Sequence, residues 1–155
     1  MLTKYAASKI LYEISGLKSS TIFGGSEIYL GLSTTAPQID GTGVSEPPAT
    51  RDGESTNYSR FKLGYYSNMP TDLIYMSNPT SPSISATMTN KNEIHFNVAL
   101  QDWTTGSDKI THVCIFNGTA SSANLLAYGA LNTPIQATQH TVVVIPKEGF
   151  TITVQ

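Results

Sequence analysis

The side chains that could carry out chemistry are few and lie far apart in the sequence. Three histidines are present, His95, His112 and His140, and no two of them lie within four residues of each other. A zinc site usually shows in a sequence as a local ligand pair such as H-x-x-x-H or C-x-x-C, and the chain contains neither. We predict that each histidine lies in a β-strand. The sequence therefore predicts no metal site, and we expect no cofactor.

A cysteine nucleophile is the strongest enzymatic alternative. His112 and Cys114 are two residues apart, so on a strand they face the same side, and Asp102 or Asp108 could orient the histidine. The apolar run around Cys114 disfavours its thiolate, and nothing in the sequence supplies an oxyanion site. We therefore predict that the protein is not an enzyme. A small hydrolase would need a histidine, a carboxylate and a nucleophile gathered in one cleft.

The carboxylates and glycines indicate no other reaction. The 11 acidic residues contain no D-x-D or E-x-x-E pair, which disfavours metal-dependent and glycosidase chemistry. The phosphate-binding pattern G-x-x-x-x-G-K is absent. Residues 40–43 have the glycines of a cation loop without its alternating carboxylates, so turn formation explains them better.

The composition is typical of an all-β protein with long loops. Only 13% of the residues are charged, and about a quarter are serine or threonine. The usual charged share is about 25%. Frequent glycine, proline and β-branched residues point the same way. A length of 155 residues predicts a single domain, residues 1–155, with a substantial core.

Charge and hydropathy limit the partners. The formal net charge is −2 and the nine basic residues form no run, so we expect no nucleic acid partner. No apolar stretch approaches the roughly 20 residues that span a bilayer, so we expect no membrane insertion. The single cysteine excludes a disulfide within the chain. Production in a reducing cytoplasm is the expectation.

One amphipathic α-helix is predicted at the N-terminus, within residues 1–20. Thr3 can cap it, and its apolar side chains recur at spacings of three and four: Ala7, Ile10, Leu11, Ile14 and Leu17. This stripe must lie on an apolar surface, either the chain's own sheet or a neighbouring subunit. The segment is therefore also a candidate assembly element.

The remaining chain is predicted to be organised around residues 93–131. This stretch reads as strands over residues 94–100, 110–116 and 125–131, with the only tryptophan, Trp103, plugging one end of the core. Residues 110–116 are apolar and β-branched, which predicts a central strand covered on both faces. The predicted core residues are Trp103, Ile110, Cys114, Ile115, Phe116, Leu126, Tyr128 and Phe150.

Further strands complete a mainly β fold. Residues 27–33 predict a one-sided strand, residues 58–66 another, and residues 84–88 and 94–98 a hairpin. Residues 139–145 and 150–154 flank a turn at 146–149. We therefore predict an antiparallel β-sandwich, jelly-roll-like, of about eight or nine strands with one N-terminal α-helix.

A loop of more than 20 residues, 34–57, is the predicted contact surface, because such loops are uncommon and usually functional. Tyrosines that we predict to face outward, Tyr12, Tyr29, Tyr58 and Tyr66, could fill a protein interface or stack on sugars. The candidate interface residues are Leu2, Tyr5, Tyr12, Pro37, Asp40, Pro47, Pro48, Arg51, Tyr58, Tyr66 and Tyr75.

The order of these blocks resembles a known family. An N-terminal helix is followed by IYLGLSTTAP (28–37), YSR (58–60), Trp103, ITHVCIF (110–116), LLAYGAL (125–131) and GFTI (149–152). This pattern is similar to small virion proteins of tailed bacteriophages, described as tail-fibre-like or Gp80-like, over nearly the whole chain. Residues 34–57 and 64–82 are longer here than in that family, so contacts specific to this phage are expected there.

The resemblance implies a structural protein of the virion, made in the host bacterial cytoplasm. Its expected partners are itself, in a symmetric homo-oligomer such as a trimer or higher, and other capsid, collar or tail proteins. Head decoration, a collar or fibre base, and a tail component all stay open. The alternative function is a receptor-binding module that recognises a host surface glycan.

Overall fold

The computed structural model describes residues 3, 27–65, 74–77 and 86–154. Within these residues the chain forms eleven β-strands and no helix. All strand pairs are antiparallel, which confirms the prediction of a mainly β, antiparallel fold. The strands are β1 Glu27–Ser33, β2 Thr50–Arg51, β3 Glu54–Ser55, β4 Phe61–Tyr65, β5 Ile74–Ser77, β6 Ala86–Asn90, β7 Ile94–Val98, β8 Ile110–Phe116, β9 Leu125–Ile135, β10 Val142–Ile145 and β11 Thr151–Val154.

The predicted N-terminal helix lies outside the described residues, except for Thr3. Thr3 is fully buried beside β9. Its backbone N–H donates to the Leu126 carbonyl (3.0 Å) and its hydroxyl donates to the Leu125 carbonyl (2.6 Å). The third residue of the chain is therefore attached to the start of β9.

The largest sheet has the strand order β4-β1-β8-β9, with β1 and β8 in the middle. Residues 110–116 thus form a central strand, as their β-branched apolar sequence predicts. β8 and β9 are a hairpin whose turn is closed by the Asn117 N–H and the Asn124 carbonyl (3.2 Å). β9 runs four residues beyond the predicted end, and β4 begins at Phe61 instead of residue 58.

The prediction of a one-sided β1 is wrong. Ile28, Leu30 and Leu32 face the main core, but Tyr29 and Ser33 on the opposite face are buried as well. The alternation of side chains was assigned correctly. The opposite face is covered because residues 34–60 fold back over it, as described below.

The hairpin predicted between residues 84–88 and 94–98 is also wrong. β6 pairs with β5 and β11, whereas β7 pairs with β10. The two pairs β6/β11 and β7/β10 follow each other along the same two chain segments, and the register shifts by one residue between Thr151↔Thr89 and Ile145↔Ile94. They belong to separate sheets, and we describe them together as a two-stranded ribbon with a corner at residues 91–93 and 146–150.

Asn90 holds this corner from the inside, with its side chain fully buried. Its Nδ2 donates to the carbonyls of Asn92 (2.9 Å) and Pro146 (2.6 Å), and its Oδ1 accepts the N–H of Phe150 (3.0 Å). One amide group thereby binds three residues of the corner, Asn92, Pro146 and Phe150. A buried amide with three satisfied bonds explains why the ribbon changes direction here.

One apolar cluster connects the four-stranded sheet to the β7/β10 pair. It contains Leu30, Leu32, Ile94, Phe96 and Trp103, together with further buried side chains of β4, β8, β9 and β10. Six of the eight predicted core residues are buried: Trp103, Ile110, Cys114, Ile115, Phe116 and Leu126. The other two, Tyr128 and Phe150, are half-buried and pack against the margins of the core.

Candidate contact surface

Residues 34–60, which we call the covering loop, lie against the outer face of the four-stranded sheet. The fit is closest at Gly31 in β1. A Cβ atom at Gly31 would lie 2.8 Å from Glu46 Oε1 and 2.8 Å from the Phe116 ring. Only glycine lets the loop approach the strand this closely, which explains its position in an otherwise bulky strand.

A charged network fastens the covering loop to the sheet. Arg60 pairs with Glu46 through Nε and Nη2, with an Nη2 to Oε2 distance of 2.6 Å. The Arg60 Nη1 donates to the carbonyl of Gly118 (2.6 Å), in the β8–β9 turn. The Arg60 side chain is 6% exposed and that of Glu46 is 22% exposed. A bidentate pair shielded from water holds a single geometry, so residues 46 and 60 of the covering loop and the β8–β9 turn are joined at one point.

Tyr58 extends this network into the core. Its hydroxyl donates to Glu46 Oε1 (2.7 Å) and accepts the backbone N–H of Leu32 (3.0 Å). Its ring meets Trp103 edge-on at 5.2 Å between centroids. Burial raises the pKa of Tyr58, and the Glu46 carboxylate raises that pKa further. The prediction that Tyr58 faces outward is therefore wrong: its hydroxyl accepts the N–H of Leu32 in β1, and Tyr58 itself precedes the start of β4.

The far end of the covering loop is fixed by Trp103. The indole N–H donates to the carbonyl of Thr56 (2.8 Å), which also accepts the N–H of Leu100 (3.1 Å). The Thr56 hydroxyl donates to the carbonyl of Pro48. Between these anchors, Asp52 and Gly53 have positive φ angles of 51° and 83° and close the small β2–β3 hairpin. The loop is thus ordered by contacts within the chain.

The predicted interface residues differ in their exposure to solvent. Asp40 and Pro48 are exposed, and Arg51 is half-buried. Pro37 and Pro47 are buried by the covering loop itself, which removes both from the outer surface. Tyr29 is likewise turned inward. Tyr75 lies in β5, and its side chain is outside the described part; the remaining four candidates, Leu2, Tyr5, Tyr12 and Tyr66, also lie outside it.

The reactive side chains are not brought together. His95, exposed on β7, contacts Glu93 through Nε2 (3.1 Å), and His112 on β8 contacts the Thr111 hydroxyl through Nδ1 (2.8 Å). Burial lowers the pKa of His112. His140 was predicted to lie in a strand, but it lies in the turn before β10 with a φ of 65°.

Cys114 is fully buried, and burial raises the pKa of its thiol to about 12. Asp102 accepts the backbone N–H of Gln139 (2.7 Å), and no hydrogen bond in the described part of the chain joins His112 to Asp102 or Asp108. Among the described residues, no group of three His, Cys, Asp or Glu side chains is arranged to hold a metal ion.

A small cleft of about 110 Å³ opens beside the covering loop. Arg51 is held at its edge, where its Nε donates to the carbonyl of Asp102 (2.8 Å). Trp103 lines the cleft but is only 1% exposed, so its ring face is not available for stacking. The other lining residues are mostly polar: Thr34, Ser45, Glu46, Pro47, Pro48, Thr104, Thr105 and Asp108.

Sequence reasoning missed Glu46, Arg60, Asn90 and the exposed valines of β10. Glu46 and Arg60 lie 14 residues apart, and no local pattern marks them as a pair. The valines left a usable signal, because residues 142–145 are an uninterrupted apolar run.

A comparison with models of known protein families matches residues 1–153 to the family described as "Podophage GP4 fiber I protein gp80". The chain belongs to this family. The match confirms the resemblance drawn from the sequence blocks. No curated protein matches the chain.

Membership in the gp80 fibre family identifies the chain as a structural protein of a phage virion that associates with other virion components. The described residues contain no helix long and apolar enough to cross a membrane.

Proposed function

We propose that the chain is a non-enzymatic building unit of a phage fibre, joined to the particle by contacts with copies of itself and with a neighbouring virion protein. The observation that carries this proposal is the match to the fibre family over residues 1–153. The side chains support it, because among the described residues the most buried ion pair, Glu46 with Arg60, has a structural role: it joins two parts of the covering loop and binds the turn after β8.

The scaffold of this unit would be a β-sandwich within a single domain. Its two layers would be the four-stranded sheet and the β7/β10 pair, which share one apolar cluster. Ile94 and Phe96 from one layer and Leu30 and Leu32 from the other contribute to that cluster. Such a scaffold would have one continuous apolar core, which suits a structural unit of a fibre.

The contacts to a neighbouring virion protein would involve the exposed rim of the covering loop. Asp40 and Pro48 are exposed there, while Pro37 and Pro47 hold the loop from within. A rim that is already ordered loses little conformational entropy on binding. The predicted N-terminal helix, which follows the anchor at Thr3, is a second candidate contact element.

Direct incorporation tests this function. Purified particles of a phage that lacks the gene should contain no copy of the chain, and supplying the gene in trans should restore it. Chemical cross-linking of the chain to its neighbouring virion protein would then show whether it lies at a head, collar or tail position. Full recovery of complete fibres without the chain would contradict the proposal. Hydrolysis of host polysaccharide by the purified chain would contradict its non-enzymatic part.

Binding to a host surface glycan is the second candidate function, and the cleft beside Arg51 is the observation that favours it. The cleft offers a guanidinium, the Asp108 carboxylate and threonine hydroxyls, which suit sugar hydroxyl groups. Saturable binding to host polysaccharide that is lost in Arg51→Ala would support this function. Absence of binding at millimolar sugar concentration would remove it.

A further inference from the structure

The large apolar side chains that the structure exposes are concentrated at the β7/β10 pair. Val98, Leu100, Val142 and Val144 are exposed by 45%, 48%, 41% and 36%. Within the described residues only one other large apolar side chain is this exposed, Ile39 in the covering loop. Val98 and Val142 are direct cross-strand partners, so they form one apolar patch on the outer face of the pair.

The two edges of the β7/β10 sheet differ. The edge of β7 is covered by the end of the covering loop, where the Asn57 Nδ2 donates to the carbonyl of Val98 (3.0 Å). Asn97 binds back to the Asn57 carbonyl (3.2 Å). In contrast, no hydrogen bond in the described part of the chain reaches the opposite edge of β10.

The open edge of β10 lacks two of the usual forms of protection, charge and proline, although the strand has only four residues and its register with β7 shifts between Val142 and Val144. Strand edges of monomeric proteins commonly carry charges, proline or a short irregular strand that prevents pairing with another chain. Residues 141–145 are instead β-branched throughout and contain neither a charge nor a proline. Val143 and Ile145 fill the core, so only Val142 and Val144 are available on the outside.

We propose that a second copy of this chain docks on the β10 edge by adding a strand to the β7/β10 sheet and covering Val142 and Val144. The inference rests on the proposed fibre function, since a fibre brings copies of the chain together. A copy is favoured over a charged partner because the patch is uncharged. Val144 lies opposite His95, which contacts Glu93, and the Lys147–Glu148 pair follows β10, so both signs of charge stand beside the patch and no single-sign field opposes a second copy.

The test measures the association of the full chain by sedimentation across a range of concentrations. The double variant Val142→Lys and Val144→Lys places two charges on the patch and should weaken self-association at least tenfold. Thr133→Lys, on an exposed position of β9, is the matched control and should associate like the wild type. Equal association of the double variant and the wild type would overturn the proposal.

A second variant keeps the test informative if the lysines disturb folding. Val142→Thr and Val144→Thr preserve shape and β-propensity and should weaken association with an unchanged circular dichroism spectrum. Amide hydrogen exchange of residues 142–145 in the wild type should slow as concentration rises. If exchange at β10 stays constant while the chain associates, the edge is not the docking site, although the fibre function itself still stands. A wild-type chain that remains monomeric in solution but is incorporated into particles would likewise overturn docking at β10 and leave the fibre function standing.

Discussion

The guanidinium of Arg60 lies 3.6 Å from the centroid of the Phe116 ring. Arg60 therefore has an aromatic ring on one side, the Glu46 carboxylate at its edge and the Gly118 carbonyl at its end. Glu46 belongs to the covering loop, Phe116 to the central strand β8, and Gly118 to the turn that follows it. One side chain thus joins the covering loop to β8 and to the turn that directly follows it, 58 residues further along the chain, and this contributes to the order of the long loop.

Arg60→Ala should destabilise the fold by about 3 kcal/mol. Removing one partner of a shielded ion pair leaves the other charge unpaired, which typically costs about 3–5 kcal/mol. The measurement is urea unfolding followed by circular dichroism.

Lys62→Ala is the matched control for Arg60→Ala. Lys62 in β4 pairs with Glu27 on the neighbouring strand β1, but its side chain is 44% exposed. Exposed pairs contribute at most about 1 kcal/mol. If Arg60→Ala lowers the free energy of unfolding no more than Lys62→Ala does, the network does not stabilise the loop.

Asn90→Ala should destabilise the ribbon corner by about 2 kcal/mol. The substitution removes the acceptor of the Phe150 N–H, whereas the Pro146 carbonyl keeps the N–H of Gly149, and one unpaired group of this kind costs about 1–3 kcal/mol. Asn132→Ala, at an exposed position of β9, should change the free energy of unfolding by less than about 0.5 kcal/mol. Comparable losses in the two variants would show that the corner does not depend on Asn90.

Trp103 should report on the attachment of the covering loop. Because its indole is enclosed, the native fluorescence should resist quenching by acrylamide, and quenching should rise on unfolding. Trp103→Phe removes the N–H that binds the Thr56 carbonyl and should speed proteolysis within residues 34–57. Ready quenching in the native protein would contradict the enclosed position.

Stability should fall in alkaline solution because two buried acids cannot ionise in place. The ordinary thiol pKa of 9.0 rises to about 12 at Cys114, and burial raises the pKa of Tyr58 above its ordinary 10.0. Both groups stabilise the fold fully below their unfolded pKa, and this contribution is lost from about pH 9 upward. In Tyr58→Phe the decline of the unfolding free energy above pH 10 should be shallower than in the wild type. An identical decline would contradict the burial of this hydroxyl.

The strands could largely be predicted because their signals are local. Residues 110–116 are β-branched and apolar over a strand's length, and the pattern alone predicted a central strand. The alternation in β1 likewise assigned Leu30 and Leu32 to the core. The alternation does not show whether the second face of β1 contacts water or another segment of the chain. Tyr29 and Ser33 are compatible with either environment, so the sequence did not predict that residues 34–60 cover this face.

Long-range pairing explains the remaining errors. The turn residues after Asn90 are compatible with a hairpin, but Asn90 binds Pro146 and Phe150, which are 56 and 60 residues away. As a result β6 and β7 lie in different sheets, where each pairs with a strand from the C-terminal part of the chain. The candidate surface failed in the same way at Tyr58, since an outward tyrosine and one that binds Glu46 have the same local sequence.

Electron cryomicroscopy of intact phage particles tests the central claim most directly. We predict density within a fibre of the virion that fits the four-stranded sheet with its covering loop, repeated in symmetry-related copies that meet at β10. Purified infectious particles that contain no copy of the chain would contradict its assignment as a structural fibre protein.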